Sequence, residues 1–269
     1  MAEAAIGGSA EKTSHEEVGL RFEVDGEIAT ITLDRPERRN AQTFATWSEL
    51  ARIGDSLPQQ VRIVVVRGEG PSFSAGIDLR LFTPEGIPGQ DSLATLATAE
   101  DPTFEQRIAH AQRGFLWLRR PDIVSIAAVN GHAIGAGFQL ALACDLRVLA
   151  EDAKLCMKEL ALGLVPDLTG TKPLVDLVGL PRAIEICLTA RAVGAREAAA
   201  IGLAELVVAP EDLAEAVRDL AAALLATDRG AATATKRLLQ GAGGRTLEEQ
   251  SAAERREQVA RVRALFAGS

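Results

Sequence analysis

Two short turns rich in small residues are the parts of this sequence best suited to chemistry. Ser74-Ala-Gly-Ile-Asp78 follows the apolar run Ile63–Val66, and Gly135-Ala-Gly-Phe-Gln139 follows the apolar run Ile123–Val129. Each apolar strand is predicted to pass through its turn into a helix. The first N–H groups of a helix lack partners within the helix and lie at its positive dipole end. Two such turns that face one point would supply a pair of donors to an oxyanion.

Other glycine-rich motifs do not fit these turns. Either turn alone is also typical of an ordinary connection between strand and helix. Gly135 and Gly137 supply the first part of a dinucleotide-binding motif, but Leu140 stands where its third glycine belongs. The turns also lack the Gly-Lys-Ser/Thr ending of a phosphate-binding loop and the central serine of a nucleophile elbow. An anion site therefore depends on both turns together.

The composition limits the partners of this 269-residue chain. Its formal net charge of −8 argues against general binding of nucleic acids, which requires a basic surface. No apolar run approaches the roughly 20 residues of a membrane span, and residues 1–17 have the pattern of neither a signal nor a transit peptide. The three cysteines are too scattered for a disulfide framework, and no spacing of His, Asp or Glu matches a metal site. We therefore predict a cytoplasmic protein with no metal, no membrane partner and no nucleic acid partner.

The order of the predicted elements indicates an α/β core followed by helices. Alternating residues on both sides of Asp25-Gly26 predict a β-hairpin, and Thr43–Ser56 has the period of an amphipathic helix. Strands and helices then alternate, and the last part of the chain is helical in pattern. The predicted division is a flexible tail at residues 1–17, a core with the site at residues 18–208, and a helical region at residues 209–269. The composition of that last region suits a subunit contact and a solvated flank equally.

Several motifs spread through the core resemble the enoyl-CoA hydratase/isomerase (crotonase) family. The most specific are Ser72-Phe-Ser-Ala-Gly-Ile-Asp-Leu79 and the segment Val129–Arg147. Arg35-Pro-Glu-Arg-Arg-Asn-Ala41 and Gly202-Leu-Ala-Glu-Leu-Val207 add to a similarity that extends from about Leu20 to Val208. The resemblance implies a crotonase (ClpP-like) spiral of ββα units with a helical C-terminal trimerisation region. It also implies an acyl-coenzyme A substrate and a homotrimer or homohexamer.

The resemblance further implies binding roles for named residues. The backbone N–H groups of Ile77 and Ala136 would form the oxyanion hole for the thioester. The family's coenzyme A contacts fall on two loops of this chain, at Arg38, Asn40, Ala41, Ala75, Asp78, Leu79 and Arg80. Arg38 and Arg80 would meet the phosphates, although both are equally typical of a solvated surface. No separate cofactor is implied, because coenzyme A enters as part of the substrate.

Three residues are candidates for a catalytic role beside the thioester, where the neighbouring C–H is a weak acid. Glu159 matches the second of two glutamates that the family's hydratases use, and Gln139 stands in place of the first. A neutral amide cannot accept that proton, but it can orient water or substrate by hydrogen bonds. Asp167 has the spacing of an acid in the family's dienoyl-CoA isomerases. Its alternative role is to cap a helix that is predicted to begin near Thr169.

These residues favour isomerisation of the double bond of an enoyl-CoA or dienoyl-CoA, with Glu159 as acid and base. In the dienoyl case Asp167 would be the second carboxyl group of a proton-transfer pair. The family's simple enoyl-CoA isomerases need one carboxylate, which removes a proton and returns it to another carbon. The first alternative is an enoyl-CoA hydratase with Gln139 in place of one glutamate. The second alternative is a non-catalytic acyl-CoA-binding protein. The irregular stretch Thr83–Pro102 has no readable pattern, so the acyl group stays undefined.

Overall fold

The computed structural model describes residues 14–267, which form a large sheet, a small sheet and surrounding helices. The strands are β1 (Leu20–Asp25), β2 (Ile28–Leu33), β3 (Ile63–Gly68), β4 (Val124–Val129), β5 (His132–Ile134), β6 (Leu146–Ala150), β7 (Lys154–Cys156), β8 (Val193–Gly194) and β9 (Leu206–Val208). The helices are α1 (Ser14–Glu17), α2 (Phe44–Asp55), α3 (Leu93–Leu96), α4 (Asp101–Leu116), α5 (Ala136–Ala143), α6 (Thr171–Val178), α7 (Leu180–Thr189), α8 (Ala195–Ala200), α9 (Leu213–Leu225), α10 (Arg229–Ala242) and α11 (Leu247–Phe266).

This arrangement is the α/β core with C-terminal helices that the sequence predicts. The tail predicted at residues 1–17 lies outside the described residues up to residue 13, and its end forms the short α1. Of the helices in the described part of the chain, none is both long and apolar enough to cross a membrane.

The large sheet has the strand order β1-β2-β3-β4-β6-β9. β1 and β2 form the predicted antiparallel hairpin, and Gly26 in its turn has a φ of +56°. The other neighbours pair in parallel. Ile63 and Val65 of β3 pack towards α9, whereas Val64 and Val66 belong to the main core on the opposite face. The runs Ile63–Val66 in β3 and Ile126–Val129 in β4 are continuously apolar, as is typical of strands that are covered on both faces.

The chain takes longer routes from the central strands to the two turns than the sequence suggests. After β3 it runs irregularly to a 3-10 turn at Leu79–Phe82, where a helix is predicted. After β4 it first forms β5, which pairs with β7 in the small sheet, and only then begins α5. Strands as short as β5, β8 and β9 contain too few residues to show an alternating pattern.

Helix α5 is buried along its whole length. All of its side chains are apolar except Gln139, which is 1% exposed. A helix that is apolar on every side belongs in the core of a protein. The N-terminus of α5 therefore opens inside the molecule, where unpaired N–H groups are shielded from bulk water.

Helices α2 and α4 approach closely because glycine faces the backbone of the partner. A Cβ atom at Gly114 of α4 would lie 2.4 Å from the carbonyl oxygen of Trp47 in α2. α2 begins where the sequence predicts, with Thr43 and Thr46 in a reciprocal capping box. The predicted amphipathic helix is therefore confirmed, and Trp47 lies on its buried face.

Helix α10 is fastened to the core by one buried cation. The Nζ atom of Lys236 donates hydrogen bonds to the carbonyl oxygens of Arg120 and Ile123, at 2.8 and 2.7 Å. It also pairs with the Asp145 carboxylate at 2.6 Å, and the two side chains are only 14% and 16% exposed. Lys236 thus joins α10 to the segment that leads into β4, where Gln240 Nε2 also donates to the carbonyl oxygen of Arg119 at 2.7 Å.

We expect Lys236→Met to lower the free energy of unfolding by about 3 kcal/mol, because the buried Asp145 carboxylate loses its cation. Lys172→Met is the matched control, since Lys172 forms an exposed pair with Asp176 within α6 and such pairs contribute little. Urea denaturation followed by circular dichroism measures both variants. Equal stability of the two variants would contradict the attachment of α10 by this ion pair.

Candidate active site

Backbone hydrogen bonds join the first glycine-containing turn to β5, the strand that leads directly into the second turn. The N–H of Ser74 donates to the carbonyl oxygen of His132 at 2.8 Å, and the N–H of Ile134 donates to the carbonyl oxygen of Ser74 at 2.9 Å. Ser74 and Ala133 thus form an isolated parallel bridge between the first turn and β5. The two segments that the sequence singles out are therefore neighbours, although about 60 residues separate them in the chain.

Glycines make this close approach possible. A Cβ atom at Gly76 would lie 2.5 Å from the carbonyl oxygen of Ile134, and one at Gly137 would lie 2.6 Å from that of Ser74. Gly76 and Gly135 also have φ values of +88° and +53°, in the region that favours glycine. A side chain at Gly76 or Gly137 would push the two turns apart.

Ile77 and Ala136, the two residues predicted to supply oxyanion donors, lie on the same cavity. Each directly follows a glycine of positive φ, and the cavity between them has a volume of about 270 Å³. Within residues 14–267, neither backbone N–H donates a hydrogen bond to a protein group. Two free donors thus border one space, with the N-terminus of α5 behind one of them.

The predicted acid and amide residues line the same cavity. Glu159, Asp167 and Gln139 come from three separate segments, and they are joined there by an apolar wall. That wall consists of Trp47, Leu79, Ile134, Leu162, Leu164 and Leu168. The cavity therefore combines two N–H donors, two carboxyl groups and one amide with a mainly apolar lining.

Gln139 connects the two segments that carry the carboxyl groups. Its Nε2 donates to Oε1 of Glu159 at 2.6 Å. Its Oε1 accepts from the backbone N–H groups of Leu168 and Gly170, at 2.8 and 3.2 Å. Because only an oxygen accepts from those two N–H groups, the orientation of the amide is fixed. The amide oxygen has used both lone pairs and cannot accept a proton from water.

Glu159 has the environment of a carboxyl group adapted to proton transfer. It begins a 3-10 turn and is 8% exposed. Its Oε2 is buried and has no hydrogen-bond partner among the described residues. Burial raises the pKa of Glu159, the hydrogen bond from Gln139 opposes this rise, and the negative charge of Asp167 adds to it. A raised pKa brings a carboxylate closer to the strength of a useful general base.

Asp167 does not cap a helix, so this alternative from the sequence is wrong. α6 begins at Thr171, two residues later than predicted. Its N-cap residue is Gly170, and no side chain caps the helix. The Asp167 carboxyl group instead borders the cavity, and burial raises its pKa. The backbone N–H groups of Leu168 and Gly170, just before α6, donate to Oε1 of Gln139.

The residues predicted to contact coenzyme A lie on two adjoining loops. The N–H of Ala75 donates to the carbonyl oxygen of Arg39 at 2.8 Å, which brings the loops together. Arg38 is exposed on a 3-10 turn, and Asn40 is buried with its amide bonded to the backbone of Arg35, Glu69 and Ser72. Ala41 is half-buried in the first loop, while Ala75 and Leu79 of the second line the cavity.

Asp78 and Arg80 form a tight ion pair at the rim of the site. Hydrogen bonds from the Arg80 side chain, assisted by Arg35, lower the pKa of Asp78 to about 2. The Arg80 guanidinium contacts both carboxylate oxygens, at 3.0 and 2.6 Å, and its side chain is 40% exposed. Part of the charge of Arg80 is therefore already balanced within the protein. Arg38 has no such carboxylate partner among the described residues.

Known proteins are similar to this chain over nearly its whole length. The family model for enoyl-CoA hydratase/isomerase matches residues 23–264. A solved structure of a provisionally named enoyl-CoA hydratase from Thermobifida fusca YX, in complex with acetoacetyl-CoA, is 59% identical. Its TM-score is 0.90, and the match covers 93% of this chain and 96% of that chain.

Two further comparisons agree with this result. A Thermobifida fusca YX structure of the same description, in complex with CoA, is 57% identical with a TM-score of 0.90 and covers 95% and 97% of the two chains. A Rhodobacter capsulatus relative, also provisionally named as an enoyl-CoA hydratase, is 34% identical over 239 residues. That match covers 89% of this chain and 88% of the relative.

We expect Gly137→Ala to destabilise the protein by about 1–3 kcal/mol, since its Cβ atom would overlap the backbone of Ser74. Gly194→Ala is the control, because a Cβ atom there meets nothing within 4 Å and the backbone φ is −77°. Thermal unfolding curves of both variants measure the difference. An unchanged midpoint for Gly137→Ala would contradict the tight contact between the turns.

Proposed function

Because this chain belongs to the enoyl-CoA hydratase/isomerase family, we propose that it isomerises the double bond of an unsaturated acyl-CoA with Glu159 as the proton carrier. The family resemblance and the crotonase fold expected from the sequence are confirmed by the family match and by the similar structures. The chain is an acyl-CoA enzyme of hydratase or isomerase type. The preference for isomerisation and the roles of individual residues are the proposed part.

The bonding of Gln139 is the observation that carries this preference. A hydratase of the family uses two glutamates to position and activate water. Here the first position holds an amide whose oxygen is bound to two backbone N–H groups and whose nitrogen donates to Glu159. It cannot act as a base. A proton shuttle requires one carboxylate that is held in position and that shares a cavity with the two free N–H donors.

The proposed reaction moves one proton between two carbons. A 3-enoyl-CoA would place its thioester oxygen at the N–H groups of Ile77 and Ala136 and lose a C2 proton to the Glu159 carboxylate. The electron pair enters a dienolate, whose oxygen the two donors stabilise. Protonated Glu159 then returns the proton to C4, and the double bond shifts from C3–C4 to C2–C3. No atom is gained or lost, so one carboxylate is sufficient.

Asp167 extends the same chemistry to a conjugated substrate. Its carboxyl group borders the cavity on the segment that Gln139 ties to α5, and its pKa is raised by burial. In a 3,5-dienoyl-CoA, Glu159 would take a proton near the thioester, and the Glu159/Asp167 pair, which then holds that proton, would return one at the far end of the chain from Asp167. Burial raises the pKa of both carboxyl groups, which favours proton exchange at either of them.

Hydration is the second candidate, and the names of the relatives favour it. The similar proteins from Thermobifida fusca and Rhodobacter capsulatus are named as enoyl-CoA hydratases. For this chain, hydration would need Glu159 alone to activate the water, with Gln139 offering only its remaining N–H. A non-catalytic acyl-CoA-binding protein is the third candidate. It would keep the two donors without turnover.

We also propose the coenzyme A contacts and a homotrimer or homohexamer. The exposed Arg38 and the partly exposed Arg80 are the cations that would meet the phosphates. Leu239 of α10 and Leu265 of α11 are 70% and 68% exposed, which supports burial of these helices against other subunits.

We expect Glu159→Gln to lower kcat for 3-enoyl-CoA by about 10²–10⁴-fold, since the amide cannot accept the C2 proton. Binding of the CoA thioester, measured by calorimetry, should stay within a few-fold of the parent. Glu151→Gln, at an exposed site, is the control and keeps full turnover. A parent protein that binds the thioester without any turnover would support the non-catalytic alternative instead.

The same assay separates isomerisation from hydration. Crotonyl-CoA, a 3-enoyl-CoA and a 3,5-dienoyl-CoA are each incubated with the enzyme, and products are followed by mass and ultraviolet absorbance. Isomerisation changes the spectrum at constant mass, whereas hydration adds the mass of one water. Rapid hydration of crotonyl-CoA with no shift of the 3-enoyl double bond would overturn the proposal.

We expect kcat/KM to fall at low pH as Glu159 becomes protonated, because only its carboxylate accepts the proton. Burial raises the pKa of Glu159, so this acid limb should lie above the usual range of glutamate. The charge of Asp167 raises that pKa further, so Asp167→Asn should move the limb to lower pH. Asp176→Asn, at an exposed site of α6, should not move it. An acid limb that stays in place or moves to higher pH in Asp167→Asn would contradict this coupling.

A further inference from the structure

We propose that Gln42 is a positioning residue that couples Trp47, in the wall of the acyl cavity, to the turn that carries the Ile77 donor. This inference rests on the proposed acyl-CoA function of the cavity. Gln42 lies outside the cavity lining and is 0% exposed. It therefore acts on the site only through the groups that it contacts.

The side chain of Gln42 is a bridge with a defined direction. Trp47 Nε1 donates to Gln42 Oε1 at 2.8 Å. Because an indole nitrogen is only a donor, the amide oxygen must face Trp47. Gln42 Nε2 then donates to Ser74 Oγ at 2.9 Å. Ser74 Oγ in turn donates to the carbonyl oxygen of Asn40 at 2.8 Å. Every proton in this chain of hydrogen bonds is thus assigned.

The chain of hydrogen bonds ends at the peptide groups next to the Ile77 donor. The N–H of Gly76 donates to Ser74 Oγ at 3.2 Å. The backbone of Gln42 binds the same turn on both sides of Ile77, through the carbonyl oxygen of Gly76 at 2.7 Å and the N–H of Asp78 at 2.8 Å. The N–H of Ile77 is left free between these two bonds. Gln42 thus holds the turn by its main chain and by its side chain.

The other end of the bridge touches the space for the acyl group. Trp47 lines the cavity and is only 3% exposed. Gly114 packs against its backbone, and Phe44 and Phe115 contact its ring, with centroids at 5.1 and 6.4 Å. These contacts hold the indole in place, so an acyl chain in the cavity would pack against a rigid part of the wall. The position of the indole N–H then sets that of Gln42 and of the turn.

A purely structural role would not require this polar chain. An apolar side chain at position 42 would fill the space without the risk of an unpaired buried amide, which is destabilising. The coupling predicts instead that loss of any link shifts the Ile77 N–H and weakens stabilisation of the enolate, while affinity for the ground-state thioester changes little.

The chain offers a matched pair of substitutions as a test. Trp47→Phe removes the indole N–H that Gln42 accepts. Trp117→Phe makes the same change at the other of the two tryptophans, whose Nε1 is buried and has no partner in the described part of the chain. Trp117 does not line the cavity. Gln42→Met, of similar size, breaks the chain at its centre.

The main readout is enolisation of bound acetoacetyl-CoA, measured by its ultraviolet enolate absorbance, because it reports the oxyanion donors without any turnover. We expect Trp47→Phe and Gln42→Met each to lower the bound enolate fraction and to lower kcat for 3-enoyl-CoA by about tenfold, with KM within a few-fold. The double variant should lose no more enolate formation and turnover than the more impaired single variant, since both substitutions break the same chain of hydrogen bonds. Trp117→Phe should match the parent in both assays.

The Trp117→Phe protein keeps Trp47 as its only tryptophan, so its fluorescence reports the cavity wall. Its emission should shift on addition of acetoacetyl-CoA and not on addition of coenzyme A alone. Unchanged enolisation in Gln42→Met and Trp47→Phe, or additive losses in the double variant, would overturn the coupling. Enolisation that depends on Gln42 in a protein without isomerase turnover would support the coupling and refute the isomerase proposal alone.

Discussion

Two backbone hydrogen bonds join Ser74 to His132 and Ile134, so the turns at residues 74–78 and 135–139 lie side by side, and the rest of the site depends on this junction. It brings the free N–H groups of Ile77 and Ala136 to one cavity. The junction tolerates no added side chain, so glycine is required where the turns touch. The parallel sheet and the buried α5 deliver the two turns to this point, and their packing keeps the donors away from bulk water.

A single amide organises the acidic side of the cavity. Gln139 is bonded to Glu159 on one side and to the backbone at Leu168 and Gly170 on the other, so it fixes two segments at once. Its neutral charge matters electrostatically. A second carboxylate at this place would lie within hydrogen-bonding distance of Glu159, and the two could not both be ionised. The site therefore keeps two acids at the cavity, Glu159 and Asp167, without placing a third beside them.

Much of the fold could be predicted from the sequence, because its patterns are long and local. The hairpin of β1 and β2 and helix α2 lie where turn residues and the helical period predict them, and the last part of the chain is helical as expected. The convergence of the two turns with Glu159 also agrees with expectation. The sequence could not identify Trp47 as a residue of the cavity wall or Gln42 as its hydrogen-bond partner, since both depend on contacts made only in the folded chain. The hydrogen bonds that Gln139 accepts also could not be predicted, because no local sequence pattern shows that the loop before α6 lies against α5.

The proposed charge-stabilising groups are peptide N–H groups, and this has an evolutionary consequence. The Ile77 side chain lines the cavity, yet the N–H of the same residue would polarise the thioester. A substitution there can reshape the space for the acyl chain and leave the dipoles in place. Substrate selectivity can thus change during evolution while catalytic power is kept, because a mutation changes the side chain of a residue and leaves its backbone N–H in place.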